Sequence, residues 1–401
     1  MFPKLWLIVS LVALVQTRAL GCLWDYDTLR DEKRGMPGIA EVLAGQWERH
    51  SSFFYKNRVE KMKALLATKP DDQDAMDNLA VAYHKLGQTD AAIAVMLDKE
   101  KRFPGQYTTY SNIGTFYMLK GDPDDGITYI KKALAINPNA HFGREEYQLD
   151  LAEFLKKRSH NPDLLNHSFI YSLVEPPRNE DGSTSTIKFS DEQLDSDFNL
   201  DLQTGRSTKL KYLGLKPNIF QGVVGMLRFG TDQSPDLYFA LGDLLALHGD
   251  KNLAVRAYQR SLDFNYPRPE AIKNAIDQVE SMQVPRGGLN PAVIAAERAD
   301  AAIWVADYQR FEDDLVRSGQ NVDDESMYAP FYATHGRTLK TKDFFIDDYL
   351  NDKTARDYPA ATILVITSFA ISVVLLGRVL LRRLSRPVAK SGDESHTSGG
   401  A

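Results

Sequence analysis

A spacing constrains this chain more than any other feature. Tyr83 and Tyr117 stand 34 residues apart, and the same interval separates Leu79 from Ile113, Gly87 from Gly121, Pro70 from Pro104 and Pro104 from Pro138. A period of that length accommodates one pair of helices with their turns. A pair so short cannot bury its own apolar stripe, so successive pairs must stack.

Each recurring residue type has a physical duty in such a pair. Tyr83 and Tyr117 fall on the first helix, where their rings fill the space toward the second. Gly87 and Gly121 end that helix in the left-handed conformation that glycine adopts at little cost. Ala92 and Gly126 place small side chains where the two axes cross. Pro104 and Pro138 stop the second helix, because proline lacks the N–H and clashes with the preceding turn. The set Tyr110, Ile113, Gly114, Tyr117, Gly121, Gly126, Ala133 and Pro138, preceded by Met76, Leu79, Ala80, Tyr83, Gly87, Ala92 and Pro104, resembles the tetratricopeptide repeat. The resemblance implies an all-α fold, a TPR-like array of helical hairpins forming an α-solenoid.

A third unit lies apart, at "DLYFALGDLLALHGDKNLAVRAYQRSLDFNYP". There Tyr238, Leu241, Gly242, Gly249, Ala254, Tyr258 and Leu262 keep the spacing, and Leu245 stands in the tyrosine place. Upstream, the segment from Gly38 to Pro70 is expected to form a degenerate first hairpin that caps the stack. Downstream, "HFGREEYQLDLAEFLKKR" is a helix covering the end of the second unit. The expected organisation is a repeat region with its cap over 22–160, a mostly irregular insertion over 161–216, and a second helical region over 217–319. The last of these ends in one long helix, with Asn290 as cap, Pro291 in its first turn and Gly319 past its end. Ala295, Ala299, Ala302, Ala306 and Leu315 mark its apolar stripe, which packs on the last hairpin or, alternatively, mediates self-association. Residues 320–357 read as a polar stalk.

The two ends carry addresses. An apolar run from Leu5 to Val15, after Lys4 and before small Ala19 and Gly21, suits a signal peptide over 1–21. The alternative is a buried helix or an uncleaved anchor. Near the other end, Tyr358 to Gly377 is free of charge, long enough to cross about 30 Å of hydrocarbon. Arg378, Arg382, Arg383, Arg386 and Lys390 follow it, whereas Asp347, Asp348, Asp352 and Asp357 precede it. That asymmetry predicts a transmembrane helix over 358–381, a cytoplasmic tail over 382–401 and the body outside the cytoplasm. Cys22, the single cysteine, can form no intramolecular disulfide and is a candidate for lipidation, although Leu20 lies one place too near it for the bacterial lipoprotein pattern it resembles.

No sequence motif of catalysis or phosphate binding is present: no G-x-S-x-G, P-loop, H-E-x-x-H or C-x-x-C. His160 and His167 lack a third ligand at useful spacing, and Asp195, Asp197, Asn199 and Asp201 alternate as in a calcium loop but with Leu200 and Arg206 where glycine and glutamate are needed. The expectation is a protein that is not an enzyme and has no metal or cofactor. With a net charge of −6 and no basic field, it is not expected to bind nucleic acid. What remains is a binding face. Asn78 and Asn112 lie five residues before Tyr83 and Tyr117, on the helix face that lines the concave groove in the resembled family, where such asparagines bond a peptide's main chain. Val81, His84, Lys85, Thr115 and Met118 are expected to border the same groove, and Ala240 takes the asparagine's place in the third unit. The partners expected are a protein or extended peptide and the lipid bilayer. The alternatives to a peptide-binding scaffold are a structural subunit of an envelope or secretion complex, and an enzyme with an unrecognised site.

Overall fold

Asp72, Asp122, Ser234 and Asp250 each accept a hydrogen bond from the main-chain N–H three residues on, at 2.9, 3.3, 3.2 and 3.1 Å respectively. These side chains start four helices of the computed structural model. It describes residues 23–34, 38–174, 214–216, 218–281 and 291–336. The chain divides into two units, Met1–Asn351 and Asp352–Ala401, and every described residue lies in the first.

The helices are α1 (Tyr26–Arg34), α2 (Ile39–Ala44), α3 (Ser52–Thr68), α4 (Gln73–Lys85), α5 (Thr89–Arg102), α6 (Tyr107–Lys120), α7 (Pro123–Ile136), α8 (Arg144–His160) and α9 (Ile170–Leu173). They continue with α10 (Ile219–Gly225), α11 (Pro235–His248), α12 (Lys251–Asp263), α13 (Pro269–Ser281), α14 (Pro291–Arg317) and α15 (Ala329–His335). A π-helical turn, Met226–Gly230, extends α10. Among the described residues there is no strand.

Consecutive helices from α3 to α8 pack against one another, forming hairpins α4–α5 and α6–α7. Gly121 has φ of 90° and closes α6 by donating to the carbonyl of Met118, while Asp122 donates to that of Tyr117. The helices α5 and α7 end at Arg102 and Ile136, and Phe103 and Asn137, each followed by proline, leave the helical region. Close approach explains the small residues. A Cβ on Gly126 would sit 2.6 Å from the Met118 sulfur, and one on Gly242 would sit 2.3 Å from the Tyr258 ring.

The array does not stop at the insertion. Helix α8 packs on α7 and also on α10. Tyr147 donates its hydroxyl to Asn218 at 2.6 Å and lays its ring where a side chain on Gly222 would stand. Arg158 on α8 pairs with Asp236 on α11, both buried. Helices α10 to α13 continue the succession, and the start of the expected irregular insertion is helical where it is described: α9 packs on α11, with Phe169 and Ile170 in the same core.

Three expectations are corrected. The segment before Pro70 does not form a hairpin on the first repeat: α3 packs on α4, but α2 packs on α12 and α14. All six residues of α2 are buried, and a helix apolar nearly all round must be enclosed on all sides, which one neighbour cannot do. On α14 the stripe is rotated: Ala295, Ala299, Ala302 and Ala306 are exposed, Leu315 is half-buried, and the covered face is Ile294, Ala301, Trp304, Val305, Tyr308 and Glu312. Trp304 and Tyr308 bring far more apolar area than alanine, so their face goes inward. The expected stalk is folded as far as it is described. Tyr328 and Phe331 return to α14 and join Trp304 and Tyr308 in an aromatic cluster, with Tyr308 stacked on Tyr328 at 5.5 Å. Buried Glu312 accepts from the His50 ring at 2.7 Å and from the Tyr328 hydroxyl at 2.8 Å, tying α14 to the start of α3.

Candidate peptide-binding groove

Helices α4 and α6 are the first helices of adjacent hairpins, and they present Asn78 and Asn112 to a stretch of this same chain. The Trp24 N–H donates to Asn112 Oδ1 at 2.7 Å, and Asn112 Nδ2 donates to the Trp24 carbonyl at 3.0 Å. One residue's main chain is therefore gripped at both of its polar groups. Two residues on, the Tyr26 N–H donates to Asn78 Oδ1 at 3.0 Å, and Asn78 is steadied by donating to the Asp74 carbonyl at 2.7 Å. Asn112 is fully buried; an amide in that position must use its hydrogen-bonding groups, and the occupant's main chain supplies the partners.

Side chains of the occupant fit between the helices. Leu23 has no exposed surface and shares an apolar cluster with Met76, Ala80, Val81, Ile113 and Phe116. The Trp24 ring stands edge-on to Tyr107 at 5.4 Å. Asp25 is buried and caps α1 by accepting from the Thr28 N–H at 3.0 Å. Burial, and then the charge of Asp27, raise its carboxyl above the usual aspartate range, while the Thr28 bonds and Lys85 oppose that shift.

From Asp27 onward the contacts change. Arg58 on α3 donates to Asp27 at 3.0 Å and to Asp323 at 2.6 Å. Arg30 donates to the Val322 carbonyl at 3.3 Å. These interactions raise the Arg58 guanidinium against the desolvation that disfavours its charge, and they join the N-terminal segment to the region after α14.

The expected groove residues separate into two groups. Asn78, Asn112 and Val81 lie with the occupant. Thr115 is buried and accepts from Gln148 of α8 at 3.1 Å, and Met118 covers Gly126 within its own hairpin. His84 sits against Phe116 with Thr89 at 3.1 Å; burial, and then Lys85, lower its imidazole to about 3, so it is neutral. Lys85 donates to the Gly230 carbonyl at 3.2 Å. In the third unit Ala240 is fully buried within the large core that includes Val42, Leu43 and Trp47. Periodicity gave no sign of Leu23, Trp24, Asp27, Arg58 or Asp323, since none belongs to the repeat; the only available clue was that a short apolar-aromatic stretch precedes it.

Among the described residues, no group of three or more His, Cys, Asp or Glu is placed to hold a metal ion. His167 stacks on Tyr171 at 4.1 Å, and burial lowers its imidazole. The alternating aspartates 195–201, Cys22, and the apolar segments near both ends lie outside the described residues. No described helix is long and apolar enough to cross a membrane.

Residues 73–98 and 107–140 match the tetratricopeptide repeat family, which places the match on α4–α5 and α6–α7. No curated protein matches the chain. The chain thus carries tetratricopeptide repeats within an all-α array, an architecture associated with scaffolds for protein interaction.

Proposed function

We propose that the chain is an exported, membrane-anchored scaffold that binds a protein or extended peptide outside the cytoplasm. One observation carries the binding part: Asn112 and Asn78 hold alternate residues at the entry to α1 by their main chain. Every residue but proline offers those same groups, so the grip works for many sequences, and the flanking side chains select among them. The anchoring part is supported by sequence alone, through the leader-like start and the uncharged stretch 358–377 with its arginine flank.

The test is crosslinking of the full chain in native membranes, wild type beside Asn78→Ala/Asn112→Ala. A second protein crosslinked near α4 and α6 in the wild type and lost from the variant is the expected result; identical crosslinked partners in both would sink groove binding. A tag on the tail, shielded from external protease while the body is cut, is expected for the orientation. A second function is favoured by the filled groove itself: a structural subunit held through other surfaces, such as the exposed face of α14, for which partners would persist in the double variant.

A further inference from the structure

Two sets of contacts hold residues 23–30, and they differ in kind. At Leu23 to Tyr26 the hold is the groove's own: three main-chain hydrogen bonds from Asn112 and Asn78, an aliphatic hole and an aromatic edge. An incoming peptide can reproduce each of these. At Asp27 to Arg30 the hold lies outside the groove, in the Asp27–Arg58–Asp323 chain of charges and the Arg30 bond to Val322. A free peptide docked at the groove need not reproduce that second set.

We propose that residues 23–26 are the resident occupant of a peptide site on α4 and α6, latched in place through Asp27 and Arg58, and displaced by a peptide that presents an aliphatic, an aromatic and a short acceptor side chain in that order. The proposal rests on the scaffold function above and names its ligand class. Leu23, without exposed surface, fills a hole that takes a branched aliphatic chain, and a charge there would be buried unpaired. The edge of Tyr107 suits an aromatic at the next place. The third side chain is buried and accepts from the Thr28 N–H at 3.0 Å, a place for a short side chain with an acceptor oxygen, such as that of aspartate. The fourth ring, Tyr26, is 45% exposed and contributes little selection. Tethering gives the resident segment an effective concentration on the order of millimolar, so a free peptide of equal grip competes poorly while the latch holds.

The test uses the full chain with a specific protease site substituted at residues 35–37, between α1 and α2, cut after folding. The probe is a fluorescent, N-acetylated peptide of residues 23–30, read by anisotropy. Uptake by the cut chain at least tenfold tighter than by the uncut wild type is expected. That uptake should be lost on adding Asn112→Ala or on using a peptide with aspartate for its leucine. A cut chain that keeps its helicity and takes up no probe, or takes it up equally with Asn112→Ala, overturns the proposal and makes the segment a permanent brace. If cutting unfolds the chain, the uncut Asp27→Asn variant decides: tenfold tighter uptake than wild type supports the latch, and equal uptake overturns it. Failure here with a groove-dependent partner still crosslinked in membranes leaves the scaffold function standing. Peptide exchange without any crosslinked partner removes that function alone.

Discussion

The hairpins α4–α7 and the hairpin α11–α12 share a repeat pattern, yet they receive different guests. In the first pair, Asn78 and Asn112 hydrogen-bond the residues that lead into α1, and the guest's main chain does much of the binding. In the second, Ala240 stands at the asparagine's place, buried in the core, and the guest is α2, which packs on α12 with all six of its residues buried. Tyr238 reaches the Val42 carbonyl only at 3.5 Å. A face with amides holds main chain that needs partners; an apolar face holds apolar side chains by excluding water. One scaffold serves both because the hairpin geometry depends on the small residues and turns, not on the residue at the asparagine's place.

The sharpest way to break this contrast is Arg58→Ala. Removing the guanidinium leaves buried Asp27 and partly buried Asp323 without their main counter-charge, at a cost of about 3 kcal/mol in chemical denaturation. Hydrogen exchange should quicken at residues 23–30 and stay slow across α2; equal loosening of both would mean that the two guests are not independently held.

Next in size is Gly242→Ala. Its Cβ would stand 2.3 Å from the Tyr258 ring, a rigid group that also donates to Asp243 at 2.8 Å, so about 2 to 3 kcal/mol is expected. The matching Gly114→Ala meets the Ile130 side chain at 2.8 Å, which can rotate, and the Ile130 nitrogen at 3.0 Å. It should cost less, about 1 to 2 kcal/mol, and thermal melts of the two variants in parallel check the order.

Exchanging the residues at the asparagine's place tests the contrast directly. Asn112→Ala strands two main-chain groups of Trp24 and should cost about 1 to 3 kcal/mol, whereas Asn78→Ala, at a more exposed bond, should cost about 1 kcal/mol or less. Ala240→Asn buries an amide in an apolar core and is expected to cost about 1 to 3 kcal/mol. Urea midpoints would settle this, and a neutral Ala240→Asn would show that the third unit also accepts a polar grip.

The smallest effect is a pH dependence in the α11–α12 hairpin. Burial raises the Asp243 carboxyl to about 6, against hydrogen bonds from Ser168 and Tyr258. The folded state therefore binds this proton more tightly than the unfolded one, so the stabilising contribution is complete below pH about 4 and is lost as pH rises through about 6. Asp243→Asn should flatten that part of the melting-temperature profile; an unchanged slope would remove Asp243 as its source.

Much of the fold was legible, for physical reasons that can be named. The period, the glycine at the end of each first helix and the small residues at the crossings are local demands, and α4 to α7 and α11 to α12 lie where those demands place them. The asparagines were legible as equivalent residues on one helix face. Their guest was not, because contacts spanning 88 residues between Trp24 and Asn112, or 265 between Arg58 and Asp323, leave no periodic trace. The stripe on α14 was misplaced for a related reason: alanines at regular spacing mark a face that can be covered, but the area of Trp304 and Tyr308 determined which face was.

Sequence alone determined that hairpins form and that they stack, since helix termini and a short apolar stripe are properties of neighbouring residues. Tertiary structure decided what packs on the hairpins: the segment at Leu23 on α4 and α6, the helix at Ile39 on α12. That choice depends on which distant part of the chain best satisfies buried amides or covers apolar surface, and those are free energies of the assembled fold that no single stretch of sequence contains.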